Sequence, residues 1–394
     1  MDAYYRPTRA EISLDALRNN LNGYRAAIPR DMKLLASIKA NAYGHGAVEI
    51  AREAEAWGVD YLGVAFLDEA LQLRRAGIRT PILVLGYVPA SALAVAREAD
   101  ITIALFRDDV LEAAAALPGG GKRLKVHIKI DTGMGRLGLP PGRPALSFIR
   151  RALAVPQLEV EGLFTHYARA DERDKSYTRM QHERFRALAD ELRREGVELP
   201  LVHAGNSAAG IDTPEWGGGM LRLGIGMYGL YPSDEVNRTR IRLEPVMSVK
   251  TEIVMTKDAP PGSGISYGTR YVTEKTERIG TLPVGYADGY SRMLSGKASV
   301  LVRGVKVPVL GTICMDQCMI ALDPAYSDRL GPVEAGEEAV LIGSQGGETI
   351  HADDLAAWLG TIHYEVTCMI AARVPRVYIR NGQTVAITNM LANP

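Results

Sequence analysis

The chain has 394 residues, more than one ordinary hydrophobic core supports, so two domains are expected. Its formal net charge is zero and 47% of its residues are hydrophobic, which fits a folded globular protein and argues against a nucleic-acid partner. The opening Met-Asp-Ala-Tyr-Tyr-Arg-Pro has no apolar signal core and no apolar run reaches membrane-spanning length, while Cys314, Cys318 and Cys368 are too few for a disulfide framework and match no zinc spacing; a cytoplasmic protein without a metal centre or a membrane partner is expected.

Leu14, Leu17, Leu21 and Tyr24, spaced by three and four, predict an opening helix. Apolar runs near 33–39, 61–66, 81–86, 101–105, 124–131, 158–165, 200–204 and 220–224 read as buried parallel strands. Helical patterns lie between them at 47–57, 68–76, 89–98, 108–116, 144–154 and 177–195. Eight strands with intervening helices fit a (β/α)8 barrel of the TIM type over 1–241. No Gly-x-Gly-x-x-Gly follows the first strand, which disfavours a doubly wound sheet. From residue 242 the pattern changes. Met247–Thr256, Glu277–Pro283, Ala298–Val302, Val305–Leu310 and Ala339–Ile342 predict a mostly β domain over 242–385, with a short helix at Asp353–Leu359 and a tail at 386–394. Roughly the first ten residues are candidates to pack with that second domain.

In such a barrel, reactive groups belong at the C-terminal strand ends. The first strand ends in Lys39, followed at once by Tyr43, Gly44 and Gly46. A buried lysine favours its neutral, nucleophilic amine, the form that makes a Schiff base; a lysine that merely snorkels at a strand end is the alternative. The fifth strand carries Lys129 and Asp131, with Arg136 on the loop after it. The sixth ends in Thr165-His166, the seventh carries His203 before Asn206 and Ser207, and the eighth carries Arg222 before Gly224-Ile225-Gly226. The last two loops suggest an anion site. With a Schiff-base lysine across the mouth, pyridoxal 5′-phosphate is the economical cofactor, and Arg222 is the candidate partner of its ring nitrogen. His166 and His203 suit supporting roles.

The ordered blocks Ile-Lys-Ala-Asn-Ala-Tyr-Gly-His-Gly (38–46), Lys-Ile-Asp-Thr-Gly-Met-Gly-Arg-Leu-Gly (129–138), His-Ala-Gly-Asn-Ser-Ala (203–208), Arg-Leu-Gly-Ile-Gly-Met-Tyr-Gly (222–229), Ser-Tyr-Gly (266–268), Gly-Tyr-Ala-Asp-Gly-Tyr-Ser-Arg (285–292) and Ile-Cys-Met-Asp (313–316) resemble the bacterial alanine racemases, from about residue 8 to 380. The resemblance implies a barrel joined to a C-terminal β domain, and interconversion of L-alanine and D-alanine that supplies D-alanine for peptidoglycan. It implies that Lys39 holds pyridoxal phosphate and is the base on one face. Tyr267, from the other subunit of a homodimer, would be the base on the opposite face. Tyr43, Ser207, Gly224, Ile225 and Tyr364 would bind the phosphate, with His166 and Arg222 further cofactor contacts. Arg136 and the backbone of Met315, the latter also from across the interface, would hold the substrate carboxylate. His203, Tyr286 and Asp316 would support the site or line its entrance, and Lys129 would carry a carbamate that orients Arg136. A broad-specificity racemase or a decarboxylase of the same fold is the competing enzyme. A non-enzymatic cofactor-handling protein is a single barrel, without the residues that follow here, Tyr267 among them.

Overall fold

The computed structural model describes residues 3–323 and 330–392. They divide into two units: Ala16–Ala42 with Ala47–Glu244, and Tyr43–Gly46 with the described residues of 3–15 and 245–392. The first strand, β1 (Arg9–Ser13), belongs to the second of these.

The first unit is an eight-stranded parallel sheet: β2 (Lys33–Ser37), β3 (Tyr61–Val64), β4 (Ile82–Val84), β5 (Ile101–Leu105), β6 (Leu124–Lys129), β7 (Leu158–Phe164), β8 (Leu201–His203) and β9 (Met220–Leu223). Sequence neighbours pair from β2 to β8, and β9 returns beside β2. All eight predicted strands are present, because continuous apolar runs between helices suit strands covered on both faces. Lys39 and Asp131 fall just beyond strand ends that were expected to include them. Between β8 and β9 there is no regular ladder. Instead, Gly219 N–H donates to Val202 O (2.8 Å) and Arg222 N–H to Gly205 O (3.1 Å). Gly218 makes this seam possible, since its φ is +76° and a Cβ there would lie 2.3 Å from Val202 O.

Lys39 opens an unusual turn. Ala40, Asn41, Ala42 and Tyr43 have φ of 53°, 54°, 55° and 53°, a left-handed helical turn without glycine. Each such residue costs about 1–2 kcal/mol. Its barrel side is held by Ala40 N–H donating to Glu69 Oε1 (2.7 Å) and by Asn41 Oδ1 accepting from Ala47 N–H (2.8 Å).

The second unit is built on a mixed sheet, in which β1 pairs antiparallel with Met247–Glu252 and parallel with Arg376–Arg380. The predicted strand Met247–Thr256 is in fact two, Met247–Glu252 and Met255–Ala259. They pair with different strands, so the chain breaks between them. Strands at Cys318–Ala321, Arg376–Arg380 and Gln383–Thr388 and a helix at His363–Met369 were not expected from sequence. Residues 386–388, expected in a tail, close the sheet instead: Ala386 pairs with Tyr378, Ile387 with Val377 and Thr388 with Arg376. Arg6 and Thr8 also pack in this unit, on Asp288 and Thr251. Tyr43–Gly46, expected in the barrel, belong here: Arg376 Nε donates to Gly44 O (3.1 Å), and a Cβ on Gly44 would meet Thr367 O at 2.0 Å. No helix among the described residues is long and apolar enough to cross a membrane.

Candidate active site

The register of β2 against β9 sets Leu34 beside Leu221, Leu35 beside Arg222 and Ala36 beside Leu223. The strand that ends before Lys39 therefore runs directly alongside the strand that carries Arg222. Arg222 is buried and every bond it makes goes to a neutral acceptor. Nη1 donates to His203 Nδ1 (2.8 Å), and Nη2 to Thr165 O (2.8 Å), Ala204 O (2.8 Å) and His166 Nδ1 (3.1 Å). Its Nε has no partner among the described residues. Burial lowers its pKa to about 10, so it stays cationic at neutral pH.

The histidines around it stay neutral. Burial, then the nearby basic groups Arg222, Lys129, Arg136 and Lys39, hold His166 well below its ordinary value. His203 is held down by burial, Arg222, His127 and Lys129, and stacks flat on Phe164 at 5.0 Å. Behind it, His127 Nδ1 lies 2.9 Å from His203 Nε2. Lys129 is also buried. Its Nζ sits 4.2 Å from the Phe164 ring centroid, and burial with Arg222 and Arg136 pushes its amine well below the ordinary range. Asp131, pushed up by burial but more strongly down by backbone N–H groups, accepts from Gly133, Gly135 and Arg136 and so shapes the loop that presents Arg136.

Ser207 begins a short helix capped by Asn206, whose Oδ1 accepts from Ala209 N–H (3.0 Å). The Gly224 N–H, expected to be open, instead donates to Ser207 Oγ (2.9 Å), as does Gly226 N–H (3.3 Å). The hydroxyl and the Gly224–Gly226 backbone are thus one preformed cluster, with Ile225 buried inside it. A Cβ on Gly226 would lie 2.0 Å from Tyr24 Oη, so only glycine lets this loop pack.

The remaining predicted residues lie in the second unit. The Tyr43 and Tyr364 rings are 6.4 Å apart, and Tyr364 stacks on His363, whose Nδ1 is 3.0 Å from Asp353. Tyr267 is 72% exposed, on a turn where Ser266 has φ +65°, and its carbonyl accepts from Thr312 Oγ1 (2.9 Å). Met315 and Tyr286 are also exposed, and their turns interlock through Tyr286 N–H to Cys314 O (3.0 Å) and Ala287 N–H to Met315 O (3.0 Å). Asp288, which lies in the 285–292 block but has no role expected from sequence, is the buried hub of this region. It accepts both Nη groups of Arg6 (2.7 and 2.9 Å), Arg373 Nε (2.7 Å) and Gly285 N–H (3.1 Å), and Arg373 Nη2 reaches Asp316 (2.6 Å). Burial raises the Asp288 pKa, but these donors outweigh it and hold the group below its ordinary value. His127 was also missed. Its position two residues before Lys129, on the same strand face, was the signal that could have found it.

Residues 12–232 match the family described as "Alanine racemase, N-terminal domain", and residues 246–378 match "Alanine racemase, C-terminal domain". A protein named alanine racemase from Clostridium novyi is 42% identical over 392 residues, covering 99% of this chain and 100% of its own. Another from Desulfovibrio desulfuricans is 45% identical, covering 96% and 100%. The crystal structure of alanine racemase from Bacillus anthracis with bound L-Ala-P superposes with a TM-score of 0.93 at 41% identity, covering 100% of both chains. With both domains matched in order and relatives aligned end to end, this chain belongs to the alanine racemase family.

Proposed function

We propose that the chain interconverts L-alanine and D-alanine with pyridoxal 5′-phosphate, using Lys39 and Tyr267 as bases on opposite faces. The observation that carries this reading is the pairing of β2 with β9, which sets the Lys39 strand end beside Arg222 and the Ser207–Gly224–Ile225 cluster. The free Nε of the buried Arg222 and the preformed hydroxyl and backbone cluster suit a ring nitrogen and a phosphate, so the residues fit the cofactor. When bound, the cofactor supplies an electron sink that acidifies the substrate α-proton.

The chain's own groups do the rest. Lys39 anchors the cofactor and holds or takes a proton at Nζ. Arg222, cationic at neutral pH, keeps its proton on Nε instead of passing it to the ring nitrogen, which keeps the electron sink weak and limits side reactions. Tyr43 and Tyr364 join Ser207, Gly224 and Ile225 at the phosphate. Arg136 and the Met315 backbone hold the substrate carboxylate. The exposure of Tyr267, Met315 and Tyr286 supports a homodimer, in which Tyr267 and Met315 of the partner subunit complete each site. Two fixed bases let one face lose a proton and the other gain one without turning the substrate. Lys129 is the candidate carbamate: its neutral amine adds carbon dioxide and releases a proton, and the resulting anion orients Arg136. Labelling with 13C-bicarbonate should give a carbamate resonance that Lys129→Met removes; a spectrum without one rejects the assignment.

Two measurements test the main reading. Purified protein should bring either alanine enantiomer to the racemate, and borohydride should fix the cofactor mass on the peptide containing Lys39. Mass on another lysine would reject the site, and turnover of other amino acids in preference to alanine would favour a broad-specificity racemase.

A further inference from the structure

We propose that Glu161 is a positioning residue for Arg222, acting through His127 and His203 as a one-way hydrogen-bond wire. The direction of this wire is dictated from one end. A guanidinium can only donate, so His203 Nδ1 must accept from Arg222 Nη1. The His203 proton then sits on Nε2, 2.9 Å from His127 Nδ1, which must accept in turn. The His127 proton is therefore on Nε2. Both rings are neutral, as burial and Arg222 require, with His127 lowered to about 3. These tautomers follow from donor logic alone.

The wire ends in an unsatisfied group. His127 Nε2 is buried without a hydrogen-bond partner among the described residues, and Glu161 Oε2 is 3.9 Å away. One bridging water or a side-chain shift of about 1 Å closes that gap. Glu161 lies on β7 at the opposite end of the wire from Arg222, within 3.2 Å of Thr102 Oγ1 and 4.0 Å of Lys125 Nζ. Arg222 forms no ion pair among the described residues, an unusual condition for a buried cation. Glu161 is the carboxylate to which two imidazoles connect it. By drawing on the His127 proton, Glu161 makes His127 Nδ1, and then His203 Nδ1, a stronger acceptor. That fixes the guanidinium plane and with it the direction of Nε–H. The consequence for catalysis rests on Arg222 facing the cofactor ring nitrogen, as proposed above; the wire itself does not.

Cofactor-loaded protein labelled with 15N-histidine tests this directly, with His127→Gln and His203→Gln used to assign signals. In the wild type both rings should be neutral and carry the proton on Nε2. Glu161→Leu should move the shifts of both rings and lower kcat roughly fivefold, the size of one lost hydrogen bond, with KM for alanine little changed. Glu161→Gln keeps an acceptor and should restore part of both effects. A proton on Nδ1 of either ring in the wild type overturns the proposal, as does a folded Glu161→Leu with unchanged shifts and kcat, or a Gln variant no better than Leu. Should Glu161→Leu fail to fold, the wild-type tautomers and the Gln variant decide. A wrong cofactor reading would show separately, as wild-type protein with no cofactor absorption.

Discussion

Two buried charges in this molecule are satisfied in opposite ways. Asp288 is met by Arg6 and Arg373, full charges of the opposite sign. Arg222 is met by two imidazoles and two backbone carbonyls, none of them charged. The first arrangement neutralises its charge and spends it on holding three chain segments together. The second leaves the charge uncancelled and therefore available to whatever reaches Nε. Pairing makes Asp288 a fastener, whereas the charge of Arg222 has no partner ion among the described residues.

The largest test of this division concerns Tyr267, the proposed second base, which the Asp288 unit carries on an exposed turn. Tyr267→Phe should slow proton removal from L-alanine by roughly a thousandfold, while Lys39 still exchanges the α-proton of D-alanine with solvent. Deuterium incorporation measured separately from each enantiomer checks this. Equal loss in both directions would make Tyr267 structural and leave the barrel as the sole source of bases.

A smaller effect is expected at the hub. Asp288→Asn should destabilise the protein by about 2 kcal/mol, because Arg6 and Arg373 lose their shared partner. The lowered pKa of Asp288 gives the sign of the pH dependence. Its stabilisation is present above the unfolded carboxylate value near 3.8 and is lost as pH falls through the lower folded value. The Asn variant should lack that part of the acid transition in urea titrations below about pH 4. An unchanged acid limb would show that the hub is not charge-stabilised.

The smallest effect sharpens the picture at the lysine. Glycine usually destabilises a helical position, but Ala40 sits at φ 53°. Ala40→Gly should leave stability unchanged or raise it by about 0.5 kcal/mol, whereas Ala40→Val should lower it. Thermal melts distinguish the two, and a clear loss with glycine would contradict the left-handed turn.

The barrel was legible because each strand is a continuous apolar run whose meaning does not depend on a distant partner. The polar residues at its strand ends were legible for the same reason, as exceptions to those runs. Strand Arg376–Arg380 was not, since its polar ends make sense only once β1, some 366 residues earlier in register, is beside it. The Asp288 hub was hidden likewise: the Gly-Tyr-Ala-Asp-Gly block was visible, but nothing in it announces Arg6 or Arg373. The turn after Lys39 defeated local reasoning altogether, because Ala, Asn, Ala and Tyr do not call for positive φ.

That turn also has a timetable. Gly44, which follows it, is gripped by Arg376, 332 residues further along the chain. On a ribosome, where synthesis proceeds at about 5–20 residues per second, the lysine segment emerges many seconds before the strand that secures its neighbour. Until then the four left-handed residues are held only from the barrel side, by Glu69 and by the bond between Asn41 and Ala47. Gly44 is thus among the first residues made and among the last to meet its partner, and a truncated chain lacking Arg376 would leave the Gly44 carbonyl without that donor.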